Sequence, residues 1–424
     1  MTAAFLLGAF LLKLQIGLAM MLGALVGAIV GGSLFPLSDL VRHLAEGTFA
    51  YFDPILMIAT AMIFMFSIER NGLLRTLSNA TIRALFRAPA LLLVAITVII
   101  MMPGMLTGSS TAGVLTTGAI MAPVLMGMGI PRAKAGAIIA MAALFGMVAP
   151  PVNVPALIIA AGVDLPYVGL DLPLLVLTLP LAIGTTLWLG LPHCWRAEKQ
   201  MPEILSIEGA NRRGPLMFLP LVVVVGLLAT ERIAPGIVDL GLPMIFVLGA
   251  AIACCTGAKF NVLEASRDAM RTAMPILGIL MGVGMFIQIM TLTGARGEVV
   301  IQALQLPRGW TGLYPMIGIT MPLFGAVSSF GAASVLGVPF VMALPTSSGV
   351  IVMNTASLSV IVGLGDLMPP TALAGLFAAQ VVGEKDYMKV LRWCLLPGIA
   401  TCVVGLLAIQ YAAPLSAILV QGGP

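Results

Sequence analysis

Charge is the scarcest commodity in this chain. Only 9% of its 424 residues are Asp, Glu, Lys or Arg, 21 basic and 17 acidic, against roughly a quarter in soluble domains. So few charges cannot cover a soluble body of this length, and soluble multi-domain classes are excluded. The net charge of +4 fits basic loops on one side of a membrane and gives no reason to expect nucleic acid. Histidine is nearly missing. His43 and His193 stand far apart, so neither a His metal centre nor a His proton relay is expected. The five cysteines, Cys194, Cys254, Cys255, Cys394 and Cys402, lack metal-ligand spacing and read as small buried hydrophobes. No polar stretch is long enough for a soluble module, the longest being Arg196 to Arg213. The first apolar stretch continues without a small-residue cleavage site, so no cleavable signal peptide is expected.

What is abundant is apolar. Hydrophobic residues make up 60% of the chain, in runs near the ~20 residues a membrane helix needs. The fold class is therefore all-α, polytopic and membrane-embedded. Residues 3–36 read as one tilted span or two short ones, because Lys13 interrupts them. Two runs of about 40 residues, 90–130 and 309–346, have Gly/Ser-rich centres and no charged turn. Both are expected to be re-entrant helical hairpins, since irregular backbone at membrane depth is tolerated only where it is buried or lines a cavity.

Basic residues orient the chain. Arg70, Arg75, Arg83 and Arg87 precede the first hairpin and Arg132 and Lys134 follow it, so both its ends are expected in the cytoplasm. Arg196, Lys199, Arg212 and Arg213, then Lys259, Arg267 and Arg271, and finally Lys385, Lys389 and Arg392 fall on the same side. The second hairpin then opens outward. Arg232, Arg296 and Arg308 are exceptions. Within 70–88, Arg75, Asn79, Arg83 and Arg87 form one polar stripe with Leu73, Leu74, Leu77, Ile82 and Leu85 off it. That pattern predicts an amphipathic helix along the interface.

A repeat at one offset is the most informative feature. Met102-Pro103 recurs as Met321-Pro322, Ser109-Ser110 as Ser328-Ser329, Gly146 as Gly365, and Pro150-Pro151 as Pro369-Pro370, each 219 residues on (321 − 102). The charge pattern gives the two copies opposite orientations. An inverted repeat of hairpin plus broken helix is a secondary-transporter architecture, because two packings related by a pseudo-two-fold axis supply inward-open and outward-open states. Each Pro-Pro is expected to split its helix, 135–163 or 350–383, since it removes backbone donors and clashes with the preceding turn. The freed groups can hold a cation or a carboxylate.

The candidate binding residues follow. The first tip supplies Thr107, Gly108, Ser109, Ser110 and Thr111, and the second Ser328 and Ser329. The breaks supply Pro150, Pro151, Asn153, Pro369 and Pro370, and the second broken helix Asn354, Thr355, Ser357 and Asp366. Hydroxyl and carboxylate oxygens suit a hard cation, so Ser109, Ser110, Ser328, Ser329 and Asp366 are the candidate Na⁺ ligands. Asp366 is the clearest intramembrane acid, and such a group is functional by default. It either serves a cation site or gate, or satisfies the broken backbone. Its counterpart at the offset is Met147. No catalytic constellation is evident, and no cofactor is expected beyond a coupling ion.

The run Gly104-Met-Leu-Thr107-Gly-Ser109-Ser110-Thr-Ala112 resembles the hairpin signature of the large membrane subunit of TRAP (tripartite ATP-independent periplasmic) transporters. Residues 129–162 are similar to that subunit's following helix, with Gly146-Met-Val-Ala-Pro150-Pro151 and Ile158-Ile-Ala-Ala-Gly162. The second half departs from the pattern. The usual Gly-x-Phe-Met-Asp is replaced by Gly325-Ala-Val-Ser-Ser-Phe330, and the usual Thr-Pro-Pro-Val-Gly by Met368-Pro-Pro-Thr-Ala.

The resemblance implies an elevator carrier in a bacterial inner membrane, driven by a Na⁺ gradient. Its cargo would be small organic acids, C4-dicarboxylates or sugar acids. It also implies two partners besides the lipid bilayer: a periplasmic substrate-binding protein and a small integral-membrane subunit. A single-chain Na⁺- or H⁺-coupled anion carrier is the alternative, and an ion channel a weaker one. On this reading 1–89 holds scaffold helices and the interfacial arm, 90–163 the first transport repeat, and 164–308 further scaffold with a second arm. Residues 309–383 form the second repeat and 384–424 a last scaffold helix.

Overall fold

The computed structural model describes residues 1–32, 36–194, 215–233, 240–307 and 309–420. The basic loop residues Arg196, Lys199, Arg212 and Arg213, the side chain of Arg232, and Arg308 lie outside that description, so the orientation expected from them stands on the sequence alone. Among the described residues there are helices and no strands. Among the described residues, seven helical segments are long and apolar enough to cross a membrane.

Residues 1–32 make two short helices, α1 (Thr2–Phe10) and α2 (Ile16–Val30), hinged where Lys13 adopts a positive φ of 51°. Then follow α3 (Leu37–Phe49), α4 (Phe52–Arg70) and α5 (Leu73–Leu85). The α5 helix is amphipathic as its spacing predicts, but one member of the expected polar stripe is misplaced. Arg75, Arg83 and Arg87 are exposed, whereas Asn79 is buried beside Ser78. Recurrence every four residues drifts around a helix of 3.6 residues per turn, and α5 packs against α4 and α6 on that side.

The first hairpin consists of α6 (Pro89–Thr107), α7 (Ser110–Gly113), a π-turn (Val114–Gly118) and α8 (Ala119–Gly127). Its broken helix is α9 (Arg132–Met147) and α10 (Val154–Gly162). Helices α11 (Asp171–Cys194), α12 (Leu219–Ile233), α13 (Gly241–Cys255), α14 (Val262–Leu292) and α15 (Ala295–Gln305) lead to the second unit. That unit holds α16 (Leu313–Gly325), α17 (Ser329–Ala332), a π-turn (Ala333–Gly337) and α18 (Val338–Ala343), then α19 (Val350–Gly363) with a 3₁₀ extension, and α20 (Leu373–Val381). Helices α21 (Tyr387–Gln410) and α22 (Ala412–Leu419) complete the described chain.

The sequence repeat is therefore also a structural one. Helices α7 and α17, the two π-turns, and α10 and α20 have equal lengths and starts 219 residues apart (329 − 110, 333 − 114, 373 − 154). Both Pro-Pro bonds are cis. Both broken helices stop short of their Pro-Pro pair. Gly146 and Gly365 occupy the crossing of each broken helix with the first leg of its hairpin. A Cβ at Gly146 would run into the Met101 backbone, and one at Gly365 into the Gly325 backbone. Glycine allows this close backbone approach.

Helix α14 is the spine of the other half, packed against α2, α3 and α4. Small residues again set the contacts: a Cβ at Gly17 would strike Gly278, and one at Gly47 would strike Gly284. Helices α12 and α13 pack on each other, and α13 packs on α4.

Candidate functional site

The two hairpin tips are built alike. Helix α6 ends because Gly108 takes the left-handed conformation, φ 64°, and its N–H closes on Gly104 O at 2.7 Å. An αL glycine is the ordinary way to stop a helix. Ser109 is then extended, and its Oγ accepts from the Ala112 N–H at 3.4 Å. At the second tip Ser328 is extended, and its Oγ accepts from the Gly331 N–H at 3.1 Å. Ser109 and Ser328 are thus helix N-caps, for which serine is preferred.

The next serine in each tip faces the same carboxylate. Ser110 Oγ donates to Asp366 Oδ2 at 2.6 Å, and Ser329 Oγ donates to Asp366 Oδ1 at 2.9 Å. Both serines are buried, and Asp366 is 8% exposed. Hydroxyl-to-carboxylate bonds are among the stronger hydrogen bonds. One acid on the end of the second broken helix thereby joins the tips of both hairpins. The two remain close because α16 packs on the 3₁₀ turn carrying Asp366, and α7 packs on α9 and α20.

A cavity of about 610 Å³ opens beside this junction. On one wall are Thr107, Ser109, Ser110, Thr111 and Thr116 of the first hairpin, with Ser328, Ser329, Phe330, Thr371 and Asp366 of the second unit. Across from them stand Met62, Met65, Phe66 and Glu69 of α4, Thr272, Pro275, Ile276 and Ile279 of α14, and Ile16 of α2. The opposing wall is braced at one end by an ion pair, Arg70 to Asp268 at 2.7 Å, between α4 and α14. A mostly apolar cleft with a few convergent polar groups is the usual form of a small-molecule site.

The remaining sequence candidates lie elsewhere. Gly108, Pro150, Pro151, Asn153, Asn354, Thr355, Ser357, Pro369 and Pro370 do not line the cavity. Asn153 knits the first break together. Its Oδ1 caps α10 through the Ala156 N–H at 2.9 Å, and its Nδ2 donates to Val148 O at 2.7 Å and to Ser359 Oγ at 3.0 Å. The Asn153 N–H donates to the Tyr167 hydroxyl at 3.1 Å. Burial pushes that hydroxyl's pKa above its ordinary value, so it stays protonated. Asn354 donates to Pro345 O at 3.0 Å, and Ser357 returns its proton to Met353 O at 2.8 Å. Asn354 Oδ1 and Thr355 Oγ1 are buried without a hydrogen-bond partner among the described residues. Several backbone groups at the breaks are also spoken for. Val152 N–H donates to Met105 O at 3.1 Å, and Thr371 donates to Ala326 O through its N–H at 3.3 Å and its Oγ1 at 2.7 Å.

Sequence reasoning missed the opposing wall. Glu69 is the notable omission. It ends a long apolar helix next to Arg70, where a charge reads as an ordinary helix end. The available signal was an acid at the end of an apolar helix, Phe52–Arg70.

A family model described as "Tripartite ATP-independent periplasmic transporter, DctM component" matches residues 2–415. The fold is similar to the crystal structure of the YdaH transporter of Alcanivorax borkumensis, with a TM-score of 0.67 and 15% identity, covering 96% of this chain and 99% of that one. No curated protein matches the chain.

Proposed function

Since the chain belongs to the DctM family, the large component of tripartite ATP-independent periplasmic transporters, we propose that the cavity between its hairpin tips and α4–α14 is the transport site. The chain is a membrane transporter component. The proposed activity is Na⁺-coupled uptake of a small organic acid, of the C4-dicarboxylate or sugar-acid class, across a bacterial inner membrane. A periplasmic binding protein delivers the cargo, and a small membrane subunit completes the assembly.

One observation carries this reading: both repeats converge on Asp366 at the edge of a cavity whose other wall belongs to non-repeat helices. In the proposed cycle the repeats, 90–163 and 309–383, move as one body in opposite membrane orientations and carry the site past α2, α4 and α14. Substrate at the tips touches both bodies and senses their relative position. The hydroxyls of Ser109, Ser110, Ser328 and Ser329 and the carboxylate of Asp366 offer hard oxygen ligands for Na⁺. A cation binding there would compete with the serine hydroxyl protons for Asp366 and so couple ion occupancy to tip geometry. Links between the bodies that would have to break on movement include two to α10. Tyr51 Oη donates to Ile158 O at 3.1 Å, and Arg296 donates to Gly162 O.

The test is uptake of labelled organic acids by proteoliposomes holding the chain and its small subunit. Arms with and without binding protein are crossed with Na⁺ and proton gradients. The proposal expects uptake that needs Na⁺ and binding protein. Uptake by the lone chain would point to a single-chain carrier. Uptake driven by a proton gradient in Na⁺-free buffer would make Asp366 a proton carrier instead.

A further inference from the structure

The ion pairs of the described residues leave one face of α5 with its positive charge unneutralised. Residues 70–163 hold six basic side chains, Arg70, Arg75, Arg83, Arg87, Arg132 and Lys134, and no acid. Arg70 is held by Asp268 at 2.7 Å, and Arg70 and Arg75 both offset the charge of Glu69. Lys134 lies over the Trp393 ring, 4.2 Å from its centroid. Arg83 and Arg87 are exposed and have no acidic partner among the described residues.

Helical geometry puts these two arginines together. Ala80, Arg83, Ala84 and Arg87 follow one another at i, i+3, i+4 and i+7, the spacing of one helix face, and all four are exposed. On the opposite face Leu74, Ser78 and Ile82 are buried, where α5 packs on α4, α6 and α8. The apolar side of α5 is thus engaged inside the protein. What faces outward is two guanidinium groups flanked by alanines, which leave room for a headgroup between them.

Position supplies a second argument. Helix α5 lies between the ends of two membrane-length helical segments, Leu37–Arg70 and Pro89–Thr107. Its level is therefore the membrane boundary, where lipid phosphates stand. The Arg87 guanidinium lies over the half-buried Phe86 ring, 5.3 Å from its centroid. Aromatic rings and snorkelling cations both favour that layer. A phosphate oxygen pair matches the donor fork of a guanidinium, and clustered arginines beside membrane helices attract anionic headgroups.

We propose that this face of α5 is a binding site for anionic phospholipid, with Arg83 and Arg87 holding the headgroup phosphate. The consequence is mechanical. Helix α5 joins α4 to the first hairpin, so a headgroup held there fixes the level from which α6 leaves.

The experiment titrates short-chain phosphatidylglycerol, or phosphatidylcholine for comparison, into the full chain in uncharged detergent and counts bound lipid by native mass spectrometry. Wild type should hold phosphatidylglycerol about thirtyfold more tightly than phosphatidylcholine. Arg83→Gln with Arg87→Gln should bind the two lipids alike, and Arg83→Lys with Arg87→Lys should keep most of the preference. Lys259→Gln with Arg267→Gln removes two other exposed charges, expected on the same membrane side, and should leave the preference unchanged. If wild type binds both lipids alike, or if the two glutamine pairs weaken phosphatidylglycerol equally, α5 holds no lipid site and the proposal fails. If the lysine pair loses both lipids as fully as the glutamine pair at Arg83 and Arg87, the arginines support the fold instead, and the proposal fails again. Uptake enters none of these outcomes, so this proposal and the transport-site reading stand or fall separately.

Discussion

The two repeats share a backbone plan and differ in chemistry. Each has a π-turned return leg, a serine N-cap at the tip, a glycine crossing and a cis Pro-Pro break at matching positions. Yet the position holding Asp366 in the second repeat holds Met147 in the first. Asn153 caps the half-helix α10, whereas its counterpart Ala372 starts α20 at φ 41° with no cap. The legs also differ: α6 has 19 residues and α16 has 13. The shared features are those that shape backbone, and the differing ones are those that carry charge or satisfy a helix end. Symmetry here supplies the form of the site, and asymmetry supplies its single buried acid.

The largest effect is expected at that acid. Asp366→Ala leaves two buried serine hydroxyls without their acceptor. Unmet buried groups of this kind cost roughly 1–3 kcal/mol each, so initial uptake rates should fall about 100-fold. Asp366→Met combined with Met147→Asp moves the acid to the equivalent place, where Met147 also lines the cavity. If the repeats are equivalent around the cavity, the double variant should recover uptake by about tenfold over Asp366→Met alone, which corresponds to ~1.4 kcal/mol.

The glycine crossings come next. Gly146→Ala and Gly365→Ala each drive a methyl into backbone, and thermal unfolding of the purified protein should show losses of about 1–3 kcal/mol for both. A large loss at one and none at the other would mean that the crossings are not equivalent.

The smallest effects are expected where the breaks differ. Asn153→Ala removes a cap and the bond to Ser359 and should destabilise by about 1–2 kcal/mol. Ala372→Gly relieves a left-handed backbone that alanine tolerates poorly, and a gain of roughly 0.5 kcal/mol is expected in the same thermal measurement.

Much of this plan could be read from the sequence, because Pro, Gly and Ser punctuate apolar segments whose other residues are nearly interchangeable. The offset of Ser109-Ser110 and Pro150-Pro151 from their partners located the tips and breaks: α9 and α19 end before the Pro-Pro pairs, and α10 and α20 begin after them. The division of residues 3–36 was legible only as a choice, which the turn at Lys13 decides. The site was legible by halves. The tip serines and Asp366 declare themselves as polar residues in apolar surroundings. Which serine caps a helix and which meets the acid depends on backbone direction, and a sequence does not display that. Asn153, Asn354 and Ser357 drew attention for the same polarity but satisfy local backbone. The α4–α14 wall stayed hidden because its residues are mostly Met, Ile and Phe, ordinary for any membrane helix. The same limit affects the choice of scaffold contacts. Helix α13 packs on α4 and α12 on α13, whereas α5, α11, α15, α21 and α22 touch the repeat units along with α1, α4 and α14.

Relative movement of the two bodies is the claim on which the transport cycle depends, and one pair of residues tests it directly. Phe5 of α1 and Phe324 of α16 face each other with ring centroids 6.2 Å apart across the boundary. Phe5→Cys and Phe324→Cys can be joined by a short thiol-cleavable bifunctional reagent after the five native cysteines are replaced by alanine. The cross-linked assembly should lose uptake, and cleavage of the linker should restore it. Full uptake by quantitatively cross-linked protein would show that α16 does not travel past α1, and would contradict an elevator movement of the repeats.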